Sequence, residues 1–233
     1  MTDNFQSQNR GASPLPPGRR TPAAFVDNDQ EWRHSQCIAL KHPEQAKSSI
    51  FRMRKPMNLH TDYGLITVTN EPTHSFNSTD NRRCYASEIP LTDSIGSNHG
   101  VSLNGELIVV VGAGGGATDV HAHSALVIED TMLLAVGNHI ACISIVHPYR
   151  LLWSLQVDVA TCFGIYWQSQ RGALIAHGEL AISRFSTDGR LIWQAWGADI
   201  FTEGFDLLHD HIRAVDFDQS VYRFDYDTGE LLT

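Results

Sequence analysis

Short runs of β-branched and aromatic residues follow one another along this chain, and glycine-containing turns separate them. Leu107–Val111, His139–Ile145 and Val221–Phe224 are such runs. The glycines stand beside Asp, Asn or Thr, where glycine supplies the positive φ that a tight hairpin needs. No stretch carries a 3.6-residue amphipathic period of helical length. The pattern predicts an all-β protein.

The runs repeat at a fixed interval. Arg150-Leu151-Leu152-Trp153 closes one segment, Arg184-Phe185-Ser186-Thr187-Asp188-Gly189-Arg190-Leu191-Ile192-Trp193 the next, and the segment from Phe224 to Thr233 a third. Asp158-Val159-Ala160-Thr161 returns 41 positions later as Asp199-Ile200-Phe201-Thr202. Leu133–Gly137, Ala173–Gly178 and Ile212–Asp216 keep nearly the same spacing as inner strands, and Asn104–Val109 is a fainter fourth closing run. A period of about 40 residues with four short strands is the size of one propeller blade. The expectation is a propeller-like stack of about four four-stranded blades, either a small closed ring or an open arc. An open arc leaves strand edges unpaired, and a homodimer through those edges is the natural remedy.

The run Asp225-x-x-Thr228-Gly229-x-x-x-Thr233 resembles the Asp-x-x-Thr-Gly-x-x-x-Trp blade signature of quinoprotein-type (PQQ-like) β-propellers. Trp193 and Gly189 fit the signature, with Phe185 and Asp188 in place of its Asp and Thr; in the earlier copy Trp153 and Asp158 remain. The resemblance covers roughly residues 104–233. It implies that Trp153 and Trp193 pack between adjacent blades and that the turns at Gly189 and Gly229 order the strand hairpins. It implies architecture rather than activity, because many proteins with such repeats bind no quinone.

Composition divides the chain. Residues 1–60 hold six of the nine prolines and nine Lys/Arg against five Asp/Glu, whereas residues 61–233 hold eight against 21. Residues 1–58 are therefore expected to be a disordered, basic, Pro-rich tail, or the product of a start codon assigned upstream of Met53 or Met57. Residues 59–233 form the repeat domain. Its acidity repels phosphate, so nucleic acid is an unfavourable partner, and a basic protein surface or cationic ligand a favourable one. No apolar stretch approaches 18 residues and no hydrophobic leader is visible, so the reading is a protein of the cytosol without membrane contact. The four cysteines show no CxxC spacing, and three fall in or beside predicted strands as small hydrophobes.

Candidate chemistry is sparse. Val109-Val110-Val111-Gly112-Ala113-Gly114-Gly115-Gly116-Ala117 mimics a dinucleotide loop, but too few residues follow for a crossover helix, and a glycine loop joining two strands is expected. Asp119, His121 and His123 would share one face of a strand and converge on a divalent metal, in near match to a first cupin motif, with His99, His177 or Glu129 as a distant third ligand. The plainer reading makes them loop or strand-surface residues. His177 departs from its repeat partners and is a candidate ligand-binding residue. Cys162 lacks an evident base and is read as structural. Asp158, Thr161, Asp199 and Thr202 recur with the repeat, so they are expected to tie backbone between blades. No cofactor is expected. The favoured function is a non-catalytic binding or scaffolding module; the alternative is a metal-dependent enzyme of cupin-like or related β-barrel type using His121 and His123.

Overall fold

The computed structural model describes residues 55–233, and these contain no helix. The expected tail, apart from its last residues, lies outside the described residues. Sixteen strands make four sheets of five, four, four and three strands. The first sheet contains β1 (Met57–Thr61), β2 (Gly64–Asn70), β3 (Ser87–Pro90), β4 (Ser97–Leu103) and β5 (Glu106–Ala113), in the order β1-β2-β4-β5-β3. Residues 57 and 58, counted with the tail on composition, pair with Val68 and Thr67.

The other three sheets are meanders of consecutive strands. The second holds β6 (Ala125–Ile128), β7 (Thr131–Val136), β8 (His139–Ser144) and β9 (Leu151–Gln156). The third holds β10 (Cys162–Gln168), β11 (Ala173–Gly178), β12 (Ala181–Phe185) and β13 (Leu191–Trp196). The fourth holds β14 (Gly204–Leu207), β15 (Ile212–Val215) and β16 (Val221–Phe224), and its fourth-strand place is marked by a single bridge from Phe224 to Leu231. Every pairing is antiparallel except β3 with β5.

Both faces of the middle sheets are apolar because each is buried against a neighbour. Alternation sends Met132, Leu134, Val136, Ala141 and Ile143 toward the first sheet, and Leu133, Ala135, Ile140 and Cys142 toward the third. Ala173, Ile175 and Ile182 of the third sheet then meet Ile212, Ala214, Phe224 and Tyr226 of the fourth. Three apolar clusters thus join consecutive sheets, and none among the described residues joins the fourth to the first. The architecture is propeller-like and all-β, and the sheets stack as an open arc.

The first sheet covers its own far face. Residues 71–96 leave β2, lay β3 beside the outer edge of β5 and return to β4. Tyr85 lies over Gly100 and Phe76 over Gly112, on the side opposite Val101, Val109 and Val111. Glu71 Oε1 accepts from the Tyr85 hydroxyl at 2.8 Å and from Arg83 Nη1 at 2.6 Å, which anchors this cover. Burial, with that bond to Glu71, pushes the Tyr85 phenol up to about 12.

Candidate functional site: a histidine and aromatic ladder on the first-strand edge

The blade-to-blade contacts repeat in atomic detail. Trp153 packs on Gly189 of the next sheet and donates from Nε1 to the Thr187 carbonyl at 3.0 Å. Trp193 packs on Gly229 and donates to the Tyr226 carbonyl at 2.9 Å. Both glycines have positive φ, 80° and 73°, and a Cβ on either would fall 2.5–2.7 Å from the indole. Glycine is therefore required twice over, for the turn and for the ring that rests on it.

The Asp and Thr pairs differ. Asp158 is buried and accepts four backbone N–H groups: Ala160 and Thr161 on Oδ1, Leu180 and Ala181 on Oδ2. It ties the link between the second and third sheets to the β11–β12 turn. Thr161 is buried and its carbonyl accepts from Glu179 N–H at 2.8 Å. Among the described residues Asp199 accepts from Ile200 N–H alone, at 2.7 Å, and Thr202 is exposed, bonding its neighbour Glu203.

The metal candidates do not share a strand face. Residues 117–124 form an irregular turn, so the alternation that would aim His121 and His123 together is absent. His121 Nδ1 accepts the His123 backbone N–H at 3.2 Å, so its proton sits on Nε2, which donates to the Phe163 carbonyl at 2.5 Å. Both nitrogens are engaged by backbone. Ring centroids of His121 and His123 lie 6.1 Å apart. Asp119 is exposed and its backbone carbonyl accepts from Ser124 Oγ at 3.4 Å, and Glu129 occupies the β6–β7 turn. His99 is buried; its Nδ1 donates to the Ala135 carbonyl at 3.1 Å and its Nε2 accepts from the Thr118 hydroxyl at 3.3 Å. No group of three or more His, Cys, Asp or Glu side chains placed to hold a metal occurs among the described residues.

What the turn does instead is lay histidine on the edge of the third sheet. Ile165 N–H donates to the His123 carbonyl at 2.8 Å, and Gly164 leaves room: a Cβ there would lie 2.8 Å from the Cβ of His123. His123 stacks on Tyr166 at 4.2 Å, Tyr166 meets Phe205 at 4.6 Å, and Phe205 stacks on His177 at 4.4 Å with planes 9° apart. Phe163 abuts His177 at 5.3 Å. With His121, six rings from the 117–124 turn, β10, β11 and β14 contact one another in series, and Tyr166 also lies 6.4 Å from His177.

The charge state of this ladder is set by its packing. His177 is 8% exposed, its Nε2 donates to the Phe201 carbonyl at 3.0 Å, and burial pulls its pKa down to about 4. Burial also lowers His123, with His121 adding repulsion, and takes His99 to about 4. At neutral pH His99, His123 and His177 are therefore uncharged. Burial, then Cys162 and Asp206, raises the Tyr166 phenol. Cys162 and Cys142 are buried and free, and burial pushes their thiols up to about 12 and about 11, which leaves no nucleophilic thiolate at neutral pH. Of the sequence candidates, His121, His123 and His177 meet here; Tyr166, Phe163 and Phe205 were missed. Their only signal is an aromatic residue beside glycine, Phe163-Gly164 and Gly204-Phe205, after each Asp-x-x-Thr run.

No protein-family model matches the chain, and no curated protein matches it in sequence. Among solved structures it is similar to the computationally designed Ika8 protein, at 10% identity and a TM-score of 0.47, over 76% of this chain and 47% of that one. It is also similar to BamB from Moraxella catarrhalis, at 13% identity and a TM-score of 0.44, over 76% of this chain and 60% of that one. The chain spans less than two thirds of the length of either structure. Among the described residues no helix is long and apolar enough to cross a membrane.

Proposed function

We propose that this chain is a non-catalytic binding or scaffolding module that holds a cationic segment of a partner protein along the ring ladder. The observation that carries this reading is the group of contacting rings itself. His121 and His123 are exposed, and Tyr166, Phe163 and Phe205 are half-buried, so the group reaches solvent. Aromatic faces attract Arg and Lys side chains, each such contact contributing roughly 0.5–2 kcal/mol. Uncharged imidazoles add no repulsion toward a cation. Residues 61–233 carry 21 acidic against eight basic residues, which draws a basic partner in and adds salt dependence to the encounter. The metal-dependent alternative is not supported by the histidines that suggested it, because His121 spends both nitrogens on backbone.

Calorimetric titration of the full chain with a synthetic Arg- and Lys-rich peptide, beside the same sequence with Glu at every basic position, tests the reading. The basic peptide is expected to bind, its affinity to fall with salt, and His123→Ala and Tyr166→Ala each to weaken it several-fold. Binding that ignores both substitutions, or equal behaviour of the two peptides, sinks the proposal.

A further inference from the structure

The chain enters its first sheet beside the ring ladder. β1 opens at Met57, which pairs with Val68 of β2. Two residues further along β2, the Asn70 side-chain carbonyl accepts the Val120 N–H at 3.0 Å. Val120 immediately precedes His121, and Val120 and Met57 are buried in the same apolar cluster. β1 also touches β6, and β6 touches β10. The chain just ahead of Met57 therefore joins the fold next to the turn that carries His121 and His123. That stretch is strongly basic: Lys47, Arg52, Arg54 and Lys55 fall within nine residues that hold no Asp or Glu. Of the four, Lys55 alone lies among the described residues.

We propose that residues 47–55 occupy the rings in cis, so that the chain's own basic run covers the site until a partner displaces it; this rests on the reading of the ladder as a cation site. Eight extended residues span up to about 28 Å, and the rings from His121 through His123 to Tyr166 follow at centroid spacings of 6.1 and 4.2 Å. A tether this short holds the run at an effective concentration on the order of millimolar, so a weak contact is enough to keep it in place. Arg and Lys are drawn to aromatic faces. Carboxylates flank the rings as well: exposed Asp119 stands two residues before His121, and exposed Glu203 two residues before Phe205. Four cations without an anion complement them. Arg19 and Arg20 lie far up the chain from β1 and lack the short tether.

Three full-length chains make the test: the unmodified protein, Arg52→Glu with Arg54→Glu, and Arg19→Glu with Arg20→Glu as a control of equal charge. All four arginines precede the first strand, so one melting temperature is expected for the three. Without ligand, the amide NMR signals of Gly164, Ile165 and Phe205 are expected to move in the Arg52/Arg54 variant and to stay in the control. That variant is also expected to bind the Arg- and Lys-rich peptide about fivefold more tightly than the unmodified chain, and the control within about twofold of it. Amide signals that stay in place, or an equal gain in both variants, overturn the cis contact. If the peptide binds all three chains alike and is still weakened by His123→Ala, the ladder remains a cation site and the cis contact alone falls. If it binds none and the amide signals stay in place, both readings fall.

Discussion

At the scale of single residues, the strongest constraints lie where two sheets meet through one side chain. Gly189 has φ of 80° and carries the Trp153 indole on its Cα. Gly189→Ala is expected to cost about 1–3 kcal/mol, from strain at positive φ and displacement of the ring. Trp153→Ala removes the other half of the contact and its bond to Thr187, at roughly 2–4 kcal/mol. Because the two groups touch, the double variant should lose less than the two losses added. Urea denaturation of all four proteins checks this; simple additivity would mean the indole and the turn act independently. Asp158 is a different kind of joint. Its two oxygens serve four N–H groups, so Asp158→Asn turns one acceptor into a donor facing donors. A loss of about 2–4 kcal/mol is expected, while Asp199→Asn, with one local bond at stake, stays within about 0.5 kcal/mol.

At the scale of elements, the packing that keeps the ladder uncharged makes the fold sensitive to acid. His99 and His177 have folded pKa values of about 4, below the ordinary value near 6.5. Between these values the unfolded chain binds protons that the folded chain refuses, so the stabilisation is complete above about pH 6.5 and is lost as pH falls toward 4. By pH 5 each histidine is expected to remove roughly 2 kcal/mol. His177→Phe keeps a ring against Phe205, drops the titration, and should shrink the loss between pH 7 and pH 5 by about half. An unchanged slope in urea midpoints against pH would refute that assignment. The 119–124 turn is the other element under test. His121→Ala frees the Phe163 carbonyl and the His123 N–H, so hydrogen exchange at His123 and Ile165 is expected to quicken while the β11–β12 pairing keeps its protection. Bound metal is expected to be the same in His121→Ala and in the unmodified chain.

At the scale of the whole molecule, the repeat was legible and its irregularities were not. Trp153, Trp193, Gly189 and Gly229 stand out in the sequence because one contact recurs with one spacing. The expected four sheets are present, but with five, four, four and three strands. The extra strand β3 comes from residues 71–96, which follow no repeat and left no periodic trace. The ladder was half legible: His177 announced itself by differing from its counterparts, and His121 and His123 by their spacing. Their partners Tyr166 and Phe205 did not, since an aromatic residue in a strand reads as core wherever it points. The metal reading assumed a strand at residues 119–123, where the structure has a turn.

Sequence by itself determined the all-β class, the repeating strands and turns of the last three sheets and their order, because these follow from local spacing and a period kept along the chain. Only the tertiary structure decided that the sheets stack as an open arc, that residues 71–96 cover the far face of the first sheet, and that three histidines from distant segments gather with three aromatic rings. Those outcomes depend on which faces meet across sheets, and residues such as Gly164 and His123, or Arg184 and Asp227, acquire their meaning from neighbours that lie far along the chain.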